Sequence, residues 1–172
     1  MLYYSLHSRP TGTLALIAAD EGLEQIRFDA TFPSGASLCT DHPILRETAR
    51  QLDAYFTRDL REFDLPLILK GTPFQVRAWQ ALRQIPYGTT RSYAEQARAI
   101  GAPDAVRAVG AANGRNPIPI VVPCHRVIGS NGKLTGFGGG LPLKQWLLDL
   151  ERDRNSSFCF DDPIQTGLSD RR

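Results

Sequence analysis

Cysteine is scarce in this chain of 172 residues, with Cys39, Cys124 and Cys159 the three present. Their odd number and wide spacing suit neither a disulfide framework nor a zinc ribbon, so a reducing compartment is expected. Cys39 stands close before His42, which is half of a metal site. Structural zinc takes four ligands and no second pair lies nearby, so no bound metal and no cofactor are expected. Long apolar runs are missing too: none approaches the roughly 18 to 20 residues of a membrane span. The first ten residues, Met-Leu-Tyr-Tyr-Ser-Leu-His-Ser-Arg-Pro, lack the basic start and apolar centre of a signal peptide. A cytoplasmic location with no membrane partner is the expectation.

What is present suffices for a core. Hydrophobic residues make up 42% of the chain, and the length suits one ordinary domain or two small ones. The formal charge of +2 conceals a division. Residues 1 to 69 hold six Arg against ten acids, a net of −4, whereas residues 70 to 150 hold ten Lys or Arg against three acids, a net of +7. A basic middle segment is the footprint of a nucleic-acid-binding module, and a solvated surface fits the charge count equally well.

Taken in order, residues 2 to 7, 13 to 19 and 23 to 28 read as strands separated by Pro10, Gly12 and Asp20-Glu21-Gly22, the antiparallel start of a sheet. Residues 30 to 40 read as a loop. Asp41 can then cap a helix with Pro43 in its first turn, along which Ile44, Leu45, Ala49, Leu52, Tyr55 and Phe56 recur at helical spacing. Residues 65 to 69 are a last short strand or a linker. The acidic stretch 1 to 69 is read as a small α/β domain without a catalytic constellation, and 70 to 154 as a second, mostly helical domain.

In that second stretch Thr72 and Gln75 form a capping box with Pro73 at the first helical position, opening a helix to about Ile85. Ser92 and Glu95 form another, opening a short helix that ends at Gly101. A third helix is expected from Pro103 to about Asn113, with Asp104 in its first turn. The pair resembles a helix-turn-helix, and its second member is rich in small residues that let a backbone come close. Ordinary helix packing explains those residues as well. Gly136-Phe-Gly-Gly-Gly140 is a loop but no dinucleotide fingerprint, since Leu occupies position 141 where a third glycine is needed. A last helix runs from about Pro142 to Glu151, and residues 155 to 172 read as a disordered tail.

Residues 117 to 129 read Pro-Ile-Pro-Ile-Val-Val-Pro-Cys-His-Arg-Val-Ile-Gly. A cysteine acts as a nucleophile when a base or positive charge favours its thiolate, and His125 and Arg126 adjoin Cys124. Neighbours in an extended chain point to opposite faces, so a direct bond from Cys124 to His125 requires a sharp bend; otherwise a water must bridge them. An inert buried thiol beside a surface histidine is the alternative.

This segment, preceded by Arg-Ala-Val-Gly-Ala-Ala-Asn-Gly-Arg-Asn-Pro and followed by Lys-Gln-Trp-Leu-Leu, resembles the O6-alkylguanine-DNA alkyltransferases over about residues 71 to 151. The resemblance implies a ribonuclease-H-like α/β N-terminal domain and a winged-helix-like DNA-binding domain. It implies a DNA-repair protein, monomeric, that flips O6-alkylguanine, and also O4-alkylthymine, out of duplex DNA and takes the alkyl group irreversibly on Cys124. His125 would draw off the thiol proton through water, Glu151 would orient the histidine, and Asn116 would hold the active-site turn. Tyr93 would act at the target phosphate and help protonate the leaving base. Arg107 would fill the gap in the stack, with Ala105, Ala108, Ala111 and Ser130 also at the DNA, while Pro119, Val127, Phe137 and Gly138 would line the pocket.

Two other classes stay in view, a non-turnover sensor or regulator of alkylated DNA and a Cys-His thiol hydrolase. Cys124 and the lack of an extra cysteine-rich zinc domain count against the sensor. The basic helix pair counts against the hydrolase. Many relatives carry Tyr at the position of Phe137 and Ser or Ala at that of Gly138, so this loop is expected to be wider. Oligonucleotides with O6-methylguanine and with bulkier O6-alkylguanines should then react at similar rates, and a sharp preference for methyl in timed transfer assays contradicts a widened loop.

Overall fold

In the computed structural model residues 1–9 and 12–152 are described; the tail expected at 155–172, with Cys159, lies outside them. The first three apolar segments form strands β1 (Tyr3–Arg9), β2 (Gly12–Ala19) and β3 (Gly22–Arg27), each antiparallel to the next. Leu14 to Ala19 of β2, a central strand of the sheet, are all buried, so both of its faces are covered. That burial accounts for its unbroken apolar run, where a one-sided strand would alternate. The expected loop 30 to 40 contains a fourth strand, β4 (Ser37–Leu38), parallel to β1, so the sheet order is β3-β2-β1-β4. A two-residue strand carries too little periodicity to be read from sequence.

Helix α1 (Pro43–Phe56) packs on this sheet. Its N-cap is His42, without a side-chain cap bond, and not Asp41. The face it buries includes Leu45, Leu52, Tyr55 and Phe56 as expected, and also Thr48 and Gln51. Both polar residues are partnered: Thr48 donates to the Ile44 carbonyl, and the Gln51 amide exchanges bonds with the backbone of Asp64. The following chain crosses the free edge of β3. Leu23 N–H donates to the Pro66 carbonyl at 2.8 Å, and Ile68 N–H to the Leu23 carbonyl at 2.9 Å.

Beyond residue 70 the local signals dominate. Helix α2 (Pro73–Leu82) opens on the complete Thr72–Gln75 capping box. It stops short of Ile85, since residues 83 to 85 tighten into turns in which Gln84 and Ile85 donate to Ala81 and Leu82. Strand β5 (Arg91–Ser92) runs into α3 (Tyr93–Ala99), opened by the Ser92–Glu95 capping box. Helix α4 (Val106–Gly114) starts three residues later than the sequence suggested, and no acid lies in its first turn. Pro103 and Asp104 are instead the central residues of a turn closed by Ala105 N–H on the Ala102 carbonyl, and proline favours that turn position as much as it favours a helix start. Strand β6 (Val127–Ile128) pairs parallel to β5, and α5 (Leu141–Arg152) closes the described chain.

Buried amides lock the three central helices together. Gln96 of α3 and Asn113 of α4 exchange side-chain hydrogen bonds at 3.0 and 2.7 Å, and Gln96 also donates to the Ala78 carbonyl of α2. Trp79 spans from α2 to the Ala112 carbonyl at 2.9 Å. One continuous apolar cluster crosses residue 70, joining Leu16, Leu52 and Tyr55 to Trp79, Leu82, Ile118, Val122 and Leu147.

No helix among the described residues is long and apolar enough to cross a membrane. Nor do three or more His, Cys, Asp or Glu among them gather as a metal site. At Gly22 an added Cβ would stand 2.8 Å from the Pro66 carbonyl oxygen, where backbone meets backbone and neither side can yield cheaply. Gly22→Ala should cost about 1 to 3 kcal/mol, read as a lowered urea midpoint.

Candidate active site

The segment that leads to Cys124 is set by a staple. Asn116 Oδ1 accepts from Ile118 N–H at 3.0 Å and its Nδ2 donates to the Val122 carbonyl at 2.7 Å, drawing the two ends of residues 118 to 122 together. Between them Ile120 adopts a left-handed φ of 74°, a strained conformation for a β-branched side chain that persists only when its surroundings impose it. The N-terminal sheet adds a hold, with Ile26 N–H donating to the Pro117 carbonyl at 2.9 Å.

Residues Cys124–Arg126 form a single 3-10 turn, yet among the described residues no hydrogen bond joins the Cys124 thiol to the His125 ring. Cys124 is buried and forms no disulfide among the described residues. Burial pushes its thiol up, while Asn116 and the Lys144 ammonium oppose the rise. His125 is completely buried; its Nε2 lies 2.7 Å from Glu151 Oε1, and its Nδ1 has no hydrogen-bond partner among the described residues. A carboxylate only accepts, so Nε2 carries the proton and Nδ1 the lone pair.

Glu151, at the end of α5, is buried and saturated with donors. Arg126 Nε reaches Oε2 at 2.9 Å and its Nη2 reaches Oε1 at 3.0 Å, while Gly88 N–H donates to Oε2 at 3.0 Å. Burial alone would raise the carboxyl, but His125 and Arg126 outweigh it and hold the group at about 2. Burial lowers the His125 imidazole, so at neutral pH Arg126 provides the lasting positive charge. The N-terminal half contributes as well, against the expectation that it holds no catalytic constellation: Tyr55 of α1 donates its hydroxyl to Glu151 Oε1 at 2.7 Å.

An open cleft of about 560 Å³ lies between α4 and the loop after β6, lined by residues that include Tyr93, Val106, Gly110, Phe137 and Gly138. Tyr93 closes one side, its hydroxyl donating to the Thr135 carbonyl at 3.2 Å. A Cβ at Gly138 would meet nothing within 4 Å, so packing does not demand glycine there. Pro119 and Val127 do not line this cleft; both are buried, Val127 in the apolar cluster where β6 carries it and Pro119 in an isolated bridge to Val122. On α4 the residues Arg107, Ala108 and Ala111 are exposed, as is Arg115 at its C-cap, while Val109, Ala112 and Asn113 are buried. Ala105, the N-cap, is half-buried. Ser130 is exposed in the turn after β6, beside a second shallow cleft with Arg91 and Ser92.

Residues 2–69 match the family 6-O-methylguanine DNA methyltransferase, ribonuclease-like domain, and residues 73–153 match its DNA binding domain. A methylated-DNA--protein-cysteine methyltransferase of Mycolicibacterium paratuberculosis is 53% identical over 154 residues, covering 88% of this chain and 93% of that one. The chain belongs to the 6-O-methylguanine DNA methyltransferase family. A relative of the same name from Methanosarcina acetivorans is 48% identical, covering 87% of this chain and 98% of its own. Among solved structures of the family, Mycobacterium tuberculosis OGT in complex with DNA superposes with a TM-score of 0.82 at 50% identity, covering 87% of this chain and 92% of that one. The fold is accordingly the family's, a ribonuclease-like α/β domain followed by a helical DNA-binding domain.

Two members of the site escaped the sequence reading. Lys144, fully buried on α5, donates from Nζ to the Val127 and Thr135 carbonyls at 2.7 and 2.8 Å and stands over the Tyr93 ring. Its signal was available: Lys144, Leu147, Leu148 and Glu151 fall on one buried stripe of α5, where a charge at either end of an apolar face calls for partners. Tyr55 offered no such signal, since a tyrosine on an apolar face is ordinary core.

The Glu151 carboxyl sits below its ordinary value of 4.5, so its contribution to stability is complete above about pH 4.5 and is lost as pH falls toward 2. Glu151→Gln, which leaves Arg126 buried without its counter-charge, should cost about 3 to 5 kcal/mol at neutral pH. In urea unfolding the gap to the wild type should narrow between about pH 4.5 and 2.

Proposed function

We propose that this protein repairs DNA by transferring the alkyl group of O6-alkylguanine to Cys124 in one irreversible step. The observation that carries the reading is the buried His125 ring, fixed by Glu151 through Nε2 and left with an unpartnered Nδ1 in the turn it shares with Cys124. In the proposed step Nδ1 takes the thiol proton through a bridging water and Sγ attacks the alkyl carbon. The carbon–O6 bond breaks, and its electron pair leaves with the guanine, which Tyr93 helps to protonate. The thiol is consumed, so each molecule acts once.

The thiol is reached by a flipped nucleotide, which costs a few kcal/mol of stacking and costs least at a damaged pair. The cleft beside Tyr93, Phe137 and Gly138 supports a pocket for that base. The exposed face of α4, with small side chains and Arg107, supports close approach to a duplex, Arg107 filling the space the base vacates. The names of the relatives, methylated-DNA--protein-cysteine methyltransferase, and the DNA bound to the Mycobacterium tuberculosis protein support the same reaction and partner.

Duplex DNA carrying labelled O6-methylguanine tests this. Label should appear on Cys124, at no more than one equivalent. Cys124→Ala should bind the duplex and take no label, and Arg107→Ala should bind it and react at least about tenfold more slowly. Binding by the wild type without transfer would identify a sensor instead. Because burial lowers His125 and keeps it neutral, the transfer rate should hold as pH falls through 6.5 and decline only below it.

A further inference from the structure

Glu151 Oε1 accepts three different side chains: His125 Nε2–H at 2.7 Å, Arg126 Nη2–H at 3.0 Å and the Tyr55 hydroxyl at 2.7 Å. The first two belong to the acceptor turn, whereas Tyr55 arrives from α1, 96 residues away in sequence. Its oxygen also lies 3.4 Å from His125 Nε2, so the hydroxyl can donate its hydrogen bond to the carboxylate and present a lone pair to the imidazole N–H. The Tyr55 ring has no freedom to choose this geometry. It is wholly buried, with the rings of Phe56, Phe63 and Tyr87 around it at centroid distances of 5.6, 5.3 and 6.0 Å.

We propose that Tyr55 is a positioning residue for alkyl transfer, its hydroxyl anchoring Glu151 Oε1 and thereby holding His125 in the orientation and tautomer that turn Nδ1 toward the Cys124 proton. The proposal rests on the reading of Cys124 as acceptor and His125 as base. An oxygen that accepts from three donors is a weaker acceptor toward each of them. Tyr55 therefore restrains the pull of Glu151 on His125, which would otherwise raise the affinity of the imidazole for a proton and favour its charged form. It does so from the N-terminal half of the chain, which makes that half part of the reaction machinery.

Tyr55→Phe keeps the ring and removes the hydroxyl. In the full chain, single-turnover transfer of label to Cys124 should slow by about tenfold, as for other changes to a group that orients a catalytic histidine. DNA affinity should stay within about twofold. The pH below which transfer declines should move upward, a change that a mere packing defect would not produce. In a Glu151→Gln background the same substitution should alter the rate by less than about twofold, because Tyr55 acts through that carboxylate. A melting curve for each variant separates loss of fold from loss of rate.

An unshifted pH profile with a rate within twofold of wild type would overturn the proposal, whatever the melting temperature. So would an equal loss in the Glu151→Gln background. Wild-type protein that carries no label on Cys124 would instead refute the acceptor assignment beneath it, so the two failures are distinguishable.

Discussion

The structure depends on how one carboxylate is kept inside a protein. An ionised Glu151 without partners would be prohibitively costly to bury, and its donors come from three separate stretches of chain: the turn at Cys124–Arg126, the segment before β5, and α1. Gly88 shows how closely these are fitted. It has a left-handed φ of 75°, and a Cβ there would come within 3.0 Å of the Glu151 carbonyl oxygen, so the N–H that binds Oε2 is presented by a residue with no side chain to spare. Satisfying the carboxylate therefore assembles the site, because the donors that relieve its burial are the groups that orient His125.

The thiol is handled in the opposite way. Nothing in its surroundings makes Cys124 a standing thiolate, since burial raises it beyond what Asn116 and Lys144 recover. A buried neutral thiol is poorly reactive until a base accepts its proton, which suits the proposed role of Cys124 as an acceptor spent only once. Reactivity is supplied by geometry: the turn that presents Cys124, the Asn116 staple that imposes a left-handed backbone on Ile120, and the oriented imidazole. Lys144 contributes charge from the far side while its own ammonium is pinned by two carbonyls.

Much of the fold was legible because its signals are local. The two capping boxes lie within four residues each, and both are complete; the three strands follow from apolar segments punctuated by turns. Misreadings occurred where two local rules compete, as at Pro103, which can open a helix or sit inside a turn, and where an element is too short to show a period, as at β4. Within the site the Cys-His-Arg tripeptide was visible as potential chemistry, and Glu151 entered through family resemblance. The convergence of Tyr55 and Gly88 on Glu151 was not visible, since contacts spanning 96 and 63 positions leave no trace in spacing. Pro119 and Val127, expected at the pocket from the resemblance, are both buried, and adjacency in sequence does not tell which residues of so short a segment face an opening.

The contrast between α4 and the carboxylate cluster divides the protein's sensitivity to salt. Helix α4 carries Arg107 on its exposed face, has Arg115 at its C-cap and holds no acid, so its attraction for a polyanion lies where mobile ions compete most effectively. The Glu151–Arg126 pair is sealed from solvent, with side-chain exposures of 0% and 7%, and dissolved ions reach it hardly at all. Ionic strength consequently governs how long the protein stays on a duplex while leaving the poise of the histidine untouched. Capture and chemistry are electrostatically insulated from each other within one small molecule.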